Sequence, residues 1–153
     1  MKAPVTELTE LETMLLMVKA AGRRLGIGEH PMMRLGHLRL APHLRIKNVA
    51  LFPVVYLDGL KACQPNAYVT NPIAREFART KAARELQDRS RAAIEKLYTD
   101  QTLIAPHAFM TLFGLTDQVY MRLLNAGLLC FENGCIKAAE LREVSVWHPM
   151  RPG

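Results

Sequence analysis

Thirty-nine residues near the carboxy end, LIAPHAFMTLFGLTDQVYMRLLNAGLLCFENGCIKAAEL (103–141), constrain the fold more than any other part of this chain. Pro106 suits the first turn of a short helix over 106–113, and Gly114 supplies a turn. A second helix is expected over 116–126, with Thr116 as its N-cap and Gly127 just past its end. On that helix Val119, Leu123 and Ala126 share one side, flanked by Tyr120 and Leu124, while Asp117, Gln118, Met121, Arg122 and Asn125 fill the remaining arc. Asn133-Gly134 is the pair that a two-residue type I′ hairpin turn requires. The turn sets a register in which Glu132 faces Cys135, Phe131 faces Ile136 and Cys130 faces Lys137. The two cysteines are then not opposite each other, so neither a disulfide nor a two-cysteine metal corner is favoured. A last helix is expected to start near Ala138.

Upstream, Thr9-Glu10-Leu11-Glu12 fits a capping box, so a first helix is expected from Thr6 or Thr9 to a stop at Gly22. Leu8, Leu11, Leu15 and Val18 fall on one face of it, widened by Met14 and Met17. From Arg34 the period changes to alternation. Two near-copies, His37-Leu-Arg-Leu and His43-Leu-Arg-Ile, put Leu38, Leu40, Leu44 and Ile46 on an inner face. His37, Arg39, His43, Arg45 and Lys47 then lie outside, and VALFPVVYL reads as a third strand with Pro53 at a bulge or an edge. Such a basic row can neutralise phosphates. Edge strands carry the same residues to block edge-to-edge pairing. The histidines have no acidic or cysteine companions at ligand spacing, so no metal site is expected.

Asn71-Pro72 reads as an N-cap followed by proline at the first helical position of a long helix over 71–98. Its second half is two-sided, with Ala83, Leu86, Ser90, Ala93, Ile94 and Leu97 on one face. Ile73 and Phe77 point about half a turn away, so the apolar stripe changes sides near Ala82. A helix that packs on one body at its start and on another at its end has this pattern.

The net charge is +6, which invites a polyanionic partner. Residues 1–60 hold eight Lys/Arg against five Asp/Glu, residues 61–98 eight against four, and residues 99–153 four against five. The basic part is therefore not the part with two helices and a hairpin. No run of apolar residues is long enough to span a membrane. The charged amino terminus does not read as a signal peptide, and three cysteines without an export signal read as reduced thiols in the cytoplasm. LGIGEHP has a lone Gly-x-Gly without the context of a phosphate loop, and no nucleophile–base set stands at convincing spacing. Neither an enzyme nor a cofactor is expected.

The order helix, turn, helix, hairpin, helix in 103–141 resembles the winged helix-turn-helix of excisionase-like and MerR-type DNA-binding proteins. The matching residues are Phe109, Leu112, Gly114-Leu115-Thr116, Val119-Tyr120, Leu123, Gly127, Ile136 and Leu141. The resemblance implies that the polar arc of the second helix enters a major groove with the hairpin beside it. Gln118 and Asn125 would then address adenine and Arg122 guanine, with Thr116 and Lys137 completing the nucleic-acid-binding set of this unit. This unit departs from the pattern in charge: Glu132 sits at its hairpin tip and Asp117 on its recognition face. Phosphate contacts would have to come from Arg39, Arg45, Lys47, Arg75 and Arg79 upstream. Alternatively, Met121 is an apolar anchor and the unit is a protein-binding adaptor.

The expectation is thus a mainly helical α+β protein in three parts: an amino-terminal helix and small basic β-sheet (1–70), a long connecting helix (71–98) and a winged helix-turn-helix (99–147). Its expected role is a small DNA-binding regulator or architectural factor for double-stranded DNA, with a protein partner as the alternative. Dimerisation would use the first or the long helix.

Overall fold

The structure is a computed structural model that describes residues 14–66, 68–99 and 102–152. Its elements run β1 (Leu15–Met17), α1 (Val18–Leu25), α2 (Glu29–His37), β2 (His43–Ile46), β3 (Val49–Pro53), α3 (Val54–Cys63), α4 (Asn71–Ala78) and α5 (Lys81–Thr99). They continue as β4 (Leu103–Ile104), α6 (Pro106–Leu112), α7 (Asp117–Asn125), β5 (Phe131–Glu132), β6 (Cys135–Lys137), α8 (Ala138–Leu141), a 3-10 turn (Arg142–Val144) and β7 (Ser145–His148). This is an α+β fold with two small antiparallel sheets, ordered β1-β3-β2-β7 and β4-β6-β5.

The series strand, helix, helix, hairpin, helix is written twice, once over β1 to α3 and again over β4 to α8. In both, the first strand pairs with the last strand of the hairpin. Leu16 faces Phe52 as Ile104 faces Ile136, and Leu44 faces Leu51 as Glu132 faces Cys135. Equivalent residues therefore lie 88 positions apart up to the hairpin and 84 beyond it, the second hairpin being four residues shorter. The chain reversals coincide as well. Gly26 and Gly114 take left-handed backbone with φ of 73° and 57°, and so do Arg39 and Gly127 with φ of 56° and 72°. Core positions match: Leu15 with Leu103, Leu25 with Phe113, Leu35 with Leu123 and Leu57 with Leu141 are all buried.

The two copies are packed into one body. Leu15, Leu44, Ile46 and Leu51 of the first copy share a core with Phe109, Phe113, Leu123 and Ile136 of the second. A second core lies inside the first copy, around Leu25, Met32, Leu35, Phe52, Tyr56 and Leu57, and takes in Phe77 and Ala83. Helix α5 spans both, with Ala83 and Leu86 in the second of these cores and Ile94, Leu97 and Tyr98 in the first. Gly114 lies so close to β1 that a Cβ there would meet the Leu15 carbonyl oxygen at 2.8 Å. Strand β7 leaves the second copy and pairs with β2 of the first.

Several elements differ from the sequence reading. Residues 15–17 form a strand rather than part of a helix, because pairing with 51–53 outweighs their helical spacing. Helix α1 starts at Val18 and passes Gly22 to end at Leu25, where Gly26 is the left-handed cap. The start expected at Thr6 or Thr9 lies outside the described residues. His37-Leu-Arg-Leu is not a strand: His37 ends α2, and 38–41 form the following turn. Leu44 and Ile46 face inward as expected, whereas Leu38 is exposed. Pro53 closes β3, and Val54 opens α3 in place of a longer strand.

The helix expected over 71–98 is two helices, α4 and α5, broken at Arg79 and Thr80. Thr80 causes the break by local bonding that competes with the helix. Its hydroxyl donates to the Phe77 carbonyl at 2.7 Å and accepts from the Ala83 N–H at 3.1 Å. The shift of the apolar stripe near Ala82 marks this joint. The N-cap of α4 is Thr70, one residue before Asn71, and its hydroxyl accepts from the Ile73 N–H.

Candidate nucleic-acid interface

In the second copy the expected helix pair and hairpin are in place. The Thr116 hydroxyl caps α7 by accepting from the Val119 N–H at 3.3 Å, so that group is engaged within the fold. Val119 and Leu123 are buried, which turns Gln118, Met121, Arg122 and Asn125 outward together. The hairpin has the expected register, and the Lys137 N–H donates to the Cys130 carbonyl at 2.8 Å. The Lys137 ammonium lies 3.7 Å from Glu140, which offsets its charge. Cys63, Cys130 and Cys135 are all free thiols.

The first copy presents the same face on α2. Glu29, His30, Met33, Arg34 and His37 stand where α7 carries Asp117, Gln118, Met121, Arg122 and Asn125. All five are exposed, and Met33-Arg34-Leu35 repeats as Met121-Arg122-Leu123. The sequence reading missed this helix. A signal was available: Met-Arg-Leu begins seven residues after a turn glycine in both places, Gly26 and Gly114.

The proposed basic row does not lie on one strand face. Arg39 sits in the turn after α2, where its carbonyl accepts from the Arg151 N–H at 2.7 Å. His43 is only 1% exposed, packed against Phe52 and stacked on His148. Burial is the main cause that pushes its imidazole down to about 4, so it is neutral at pH 7. Arg45 is half-buried on β2, opposite Ala50 and Val146, and Lys47 is exposed at the hairpin tip with φ of 56°. Because β2 is flanked by β3 and β7, it is not an edge strand.

Arg75 is half-buried on α4, and Arg79 caps that helix and donates to the Pro152 carbonyl at 3.2 Å. Neither lies on the hairpin. Thr70 and Asn71, at the start of α4, do reach α2. With Tyr68 they line one wall of an open groove of about 740 Å³, whose other wall includes His30, Met33, Arg34 and His37. On the hairpin side a smaller cleft of about 200 Å³ brings Met33 and His37 beside Arg45 and Asn48. Sequence reasoning found no such groove, since it depends on the loop at Tyr68 folding back beside α2.

The two copies differ in charge. Residues 15–57 hold seven Lys/Arg against one Asp/Glu, while the equivalent 103–141 hold two against three. Among the described residues no group of three His, Cys, Asp or Glu side chains could hold a metal ion, and no helix is long and apolar enough to cross a membrane. No protein-family model, curated protein or solved structure matches this chain.

Proposed function

We propose that this chain is a small DNA-binding regulator or architectural factor, with a winged helix-turn-helix of the excisionase-like and MerR-type kind over 103–141. The observation that carries the reading is the exposed polar arc of α7, followed by a hairpin whose last strand pairs back onto β4. That arrangement offers a helix and an adjacent β-ribbon to one groove of a duplex. Gln118, Arg122 and Asn125 have the donor and acceptor patterns that suit base edges. Phosphate contacts come from the basic first copy, where Arg45 and Lys47 lie on a hairpin beside α2. A homodimer belongs to the same proposal, because one recognition helix covers few base pairs.

The test is fluorescence anisotropy of the full chain with labelled random-sequence duplex at several salt concentrations. Binding that weakens steeply with salt is the expected result. No binding at low salt ends the reading. The second reading, a protein-binding adaptor without DNA readout, draws on the exposure of Met121 (47%) and Phe131 on a unit whose charge is −1. A pull-down with Met121→Glu as the negative control addresses it.

A further inference from the structure

We infer that the phosphate-neutralising face of this protein is on the amino-terminal copy, formed by α2 and the β2–β3 hairpin, and that this face supplies more of the sequence-independent affinity for a duplex than α7 and its hairpin do. The inference rests on the DNA-binding reading above and deepens it by adding α2 to α7 as a face that holds the duplex.

The internal repeat makes the comparison a controlled one. Both copies hold a helix of nine residues at the same place, with an acidic residue in the first turn and the same Met-Arg pair facing outward. What differs is everything that bears on phosphate. Over 15–57 the first copy carries +6 and over 103–141 the second −1; with the next residue of each, Asp58, which pairs with Arg24, and Arg142, the contrast is +5 against 0. Duplex DNA binds in proportion to the phosphates neutralised, through release of condensed counterions. The second copy has only Arg122 and Lys137 to supply that term, and Lys137 is shared with Glu140.

The hairpins differ in the same sense. The first has four extra residues, two per strand, and so reaches roughly 7 Å farther at about 3.4 Å per residue. Its added segment carries Arg45 and its tip Lys47, whereas the second hairpin turns at once at Asn133 and Gly134, behind Glu132. Lys47 and Asn133 are equivalent as the first turn residue, with φ of 56° and 51°. At that tip a cation in one copy stands against a neutral amide next to a carboxylate in the other.

Shape points the same way. Helix α2 stands between two clefts, with Met33 and His37 lining both. A duplex seated on this ridge would have the hairpin on one side and Tyr68, which is 74% exposed, on the other. The His30, Arg34 and His37 side chains project from the ridge as the groups available to base edges.

The experiment uses the full chain and labelled random-sequence duplex, with two double variants. Arg34→Gln with Lys47→Asn removes two cations from the first copy, and asparagine tolerates the left-handed backbone at 47 as it does at 133. Arg122→Gln with Lys137→Gln removes two cations from the second. The first pair is expected to lower affinity at least tenfold near 0.1 M salt and to reduce the salt slope by about 2. The second is expected to cost measurably less, about threefold, and to reduce the salt slope by less than the first pair does. Thermal melts confirm that each variant folds.

Equal losses, or a larger loss from the second pair, overturn the inference while leaving DNA binding intact. If the wild-type chain binds no duplex at low salt, the DNA-binding reading falls, and this inference falls with it. The two failures are distinguished by the wild-type titration alone.

Discussion

His43 and His148 lie ring on ring, their centroids 4.8 Å apart and their planes 1° from parallel, across the pairing of β2 with β7. His43 Nδ1 is 3.3 Å from the Ala41 carbonyl oxygen, where the ring donates in its neutral form. Burial lowers the basicity of both imidazoles, and Arg39 and Arg45 nearby lower it further. A stacked pair of neutral rings therefore joins the first copy's sheet to its last strand.

Acid should loosen that joint. An unfolded histidine titrates near 6.5 and folded His43 near 4, so the unfolded chain takes up the proton first. The stability from a neutral His43 is complete above pH 6.5 and is lost as the pH falls toward 4. At pH 5 the loss is about 2 kcal/mol. Urea unfolding of wild type and His43→Phe at pH 7.5 and pH 5 measures it. The variant, which places phenylalanine where the second copy has Phe131, should lose that much less on acidification. Equal losses in both proteins would remove His43 from the account.

Gly114 and Gly127 both have positive φ, yet they should respond differently to alanine. At Gly127 a Cβ meets nothing within 4 Å, so only the left-handed backbone is strained, at about 1 kcal/mol. At Gly114 the Cβ would also press on the Leu15 carbonyl and the Leu16 Cα, both backbone atoms. Gly114→Ala should cost roughly 3 kcal/mol or more in a denaturant titration. A similar cost at both sites would mean that β1 can move aside.

Tyr56 is fully buried with its ring edge on Phe77, and its hydroxyl has no hydrogen-bond partner among the described residues. Burial raises its pKa far above the usual value, so it is a neutral phenol. Tyr56→Phe keeps the ring contact and removes a desolvated polar group, and stability should rise by up to about 1 kcal/mol. A fall in the melting temperature would show that the hydroxyl is satisfied.

The joint at Thr80 supplies another test. Thr80→Ala removes the cap of α5 and the bond back to Phe77, and should cost about 1 kcal/mol, whereas Thr80→Ser should be close to neutral. If alanine is neutral as well, the bend is held by packing of Phe77 and Ala83 rather than by the hydroxyl.

Legibility tracked how local each signal was. Helix α7 and the hairpin at Asn133 and Gly134 were readable because Thr116, Gly127 and an Asn-Gly pair each dictate backbone geometry within a few residues. The equivalent first-copy elements carry weaker punctuation. Gly28 caps α2 without a side-chain bond, Pro31 sits inside its first turn, and Arg39 occupies the left-handed position that Gly127 fills in the second copy. Leu38 and Leu40 happen to alternate, which suggested a strand where a helix ends. The change of stripe in 71–98 was visible, but whether a helix bends, breaks or bridges there depends on one threonine hydroxyl. The α7 surface residues lie where the sequence placed them. The upstream arginines do not form one surface, because their grouping depends on turns between elements.

Strand β7 sets an order of events in the making of this protein. Residues 145–148 complete the sheet begun by residues 15–17, and Tyr98 on α5 hydrogen-bonds Ser145 at 2.9 Å as they dock. During synthesis the first copy must therefore wait, with one side of β2 unpaired, until nearly a hundred further residues have been added. Such long-range closure slows folding and joins both copies in a single cooperative transition. A chain arrested or cleaved between the copies would present β2 as a free edge for its neighbours to pair with.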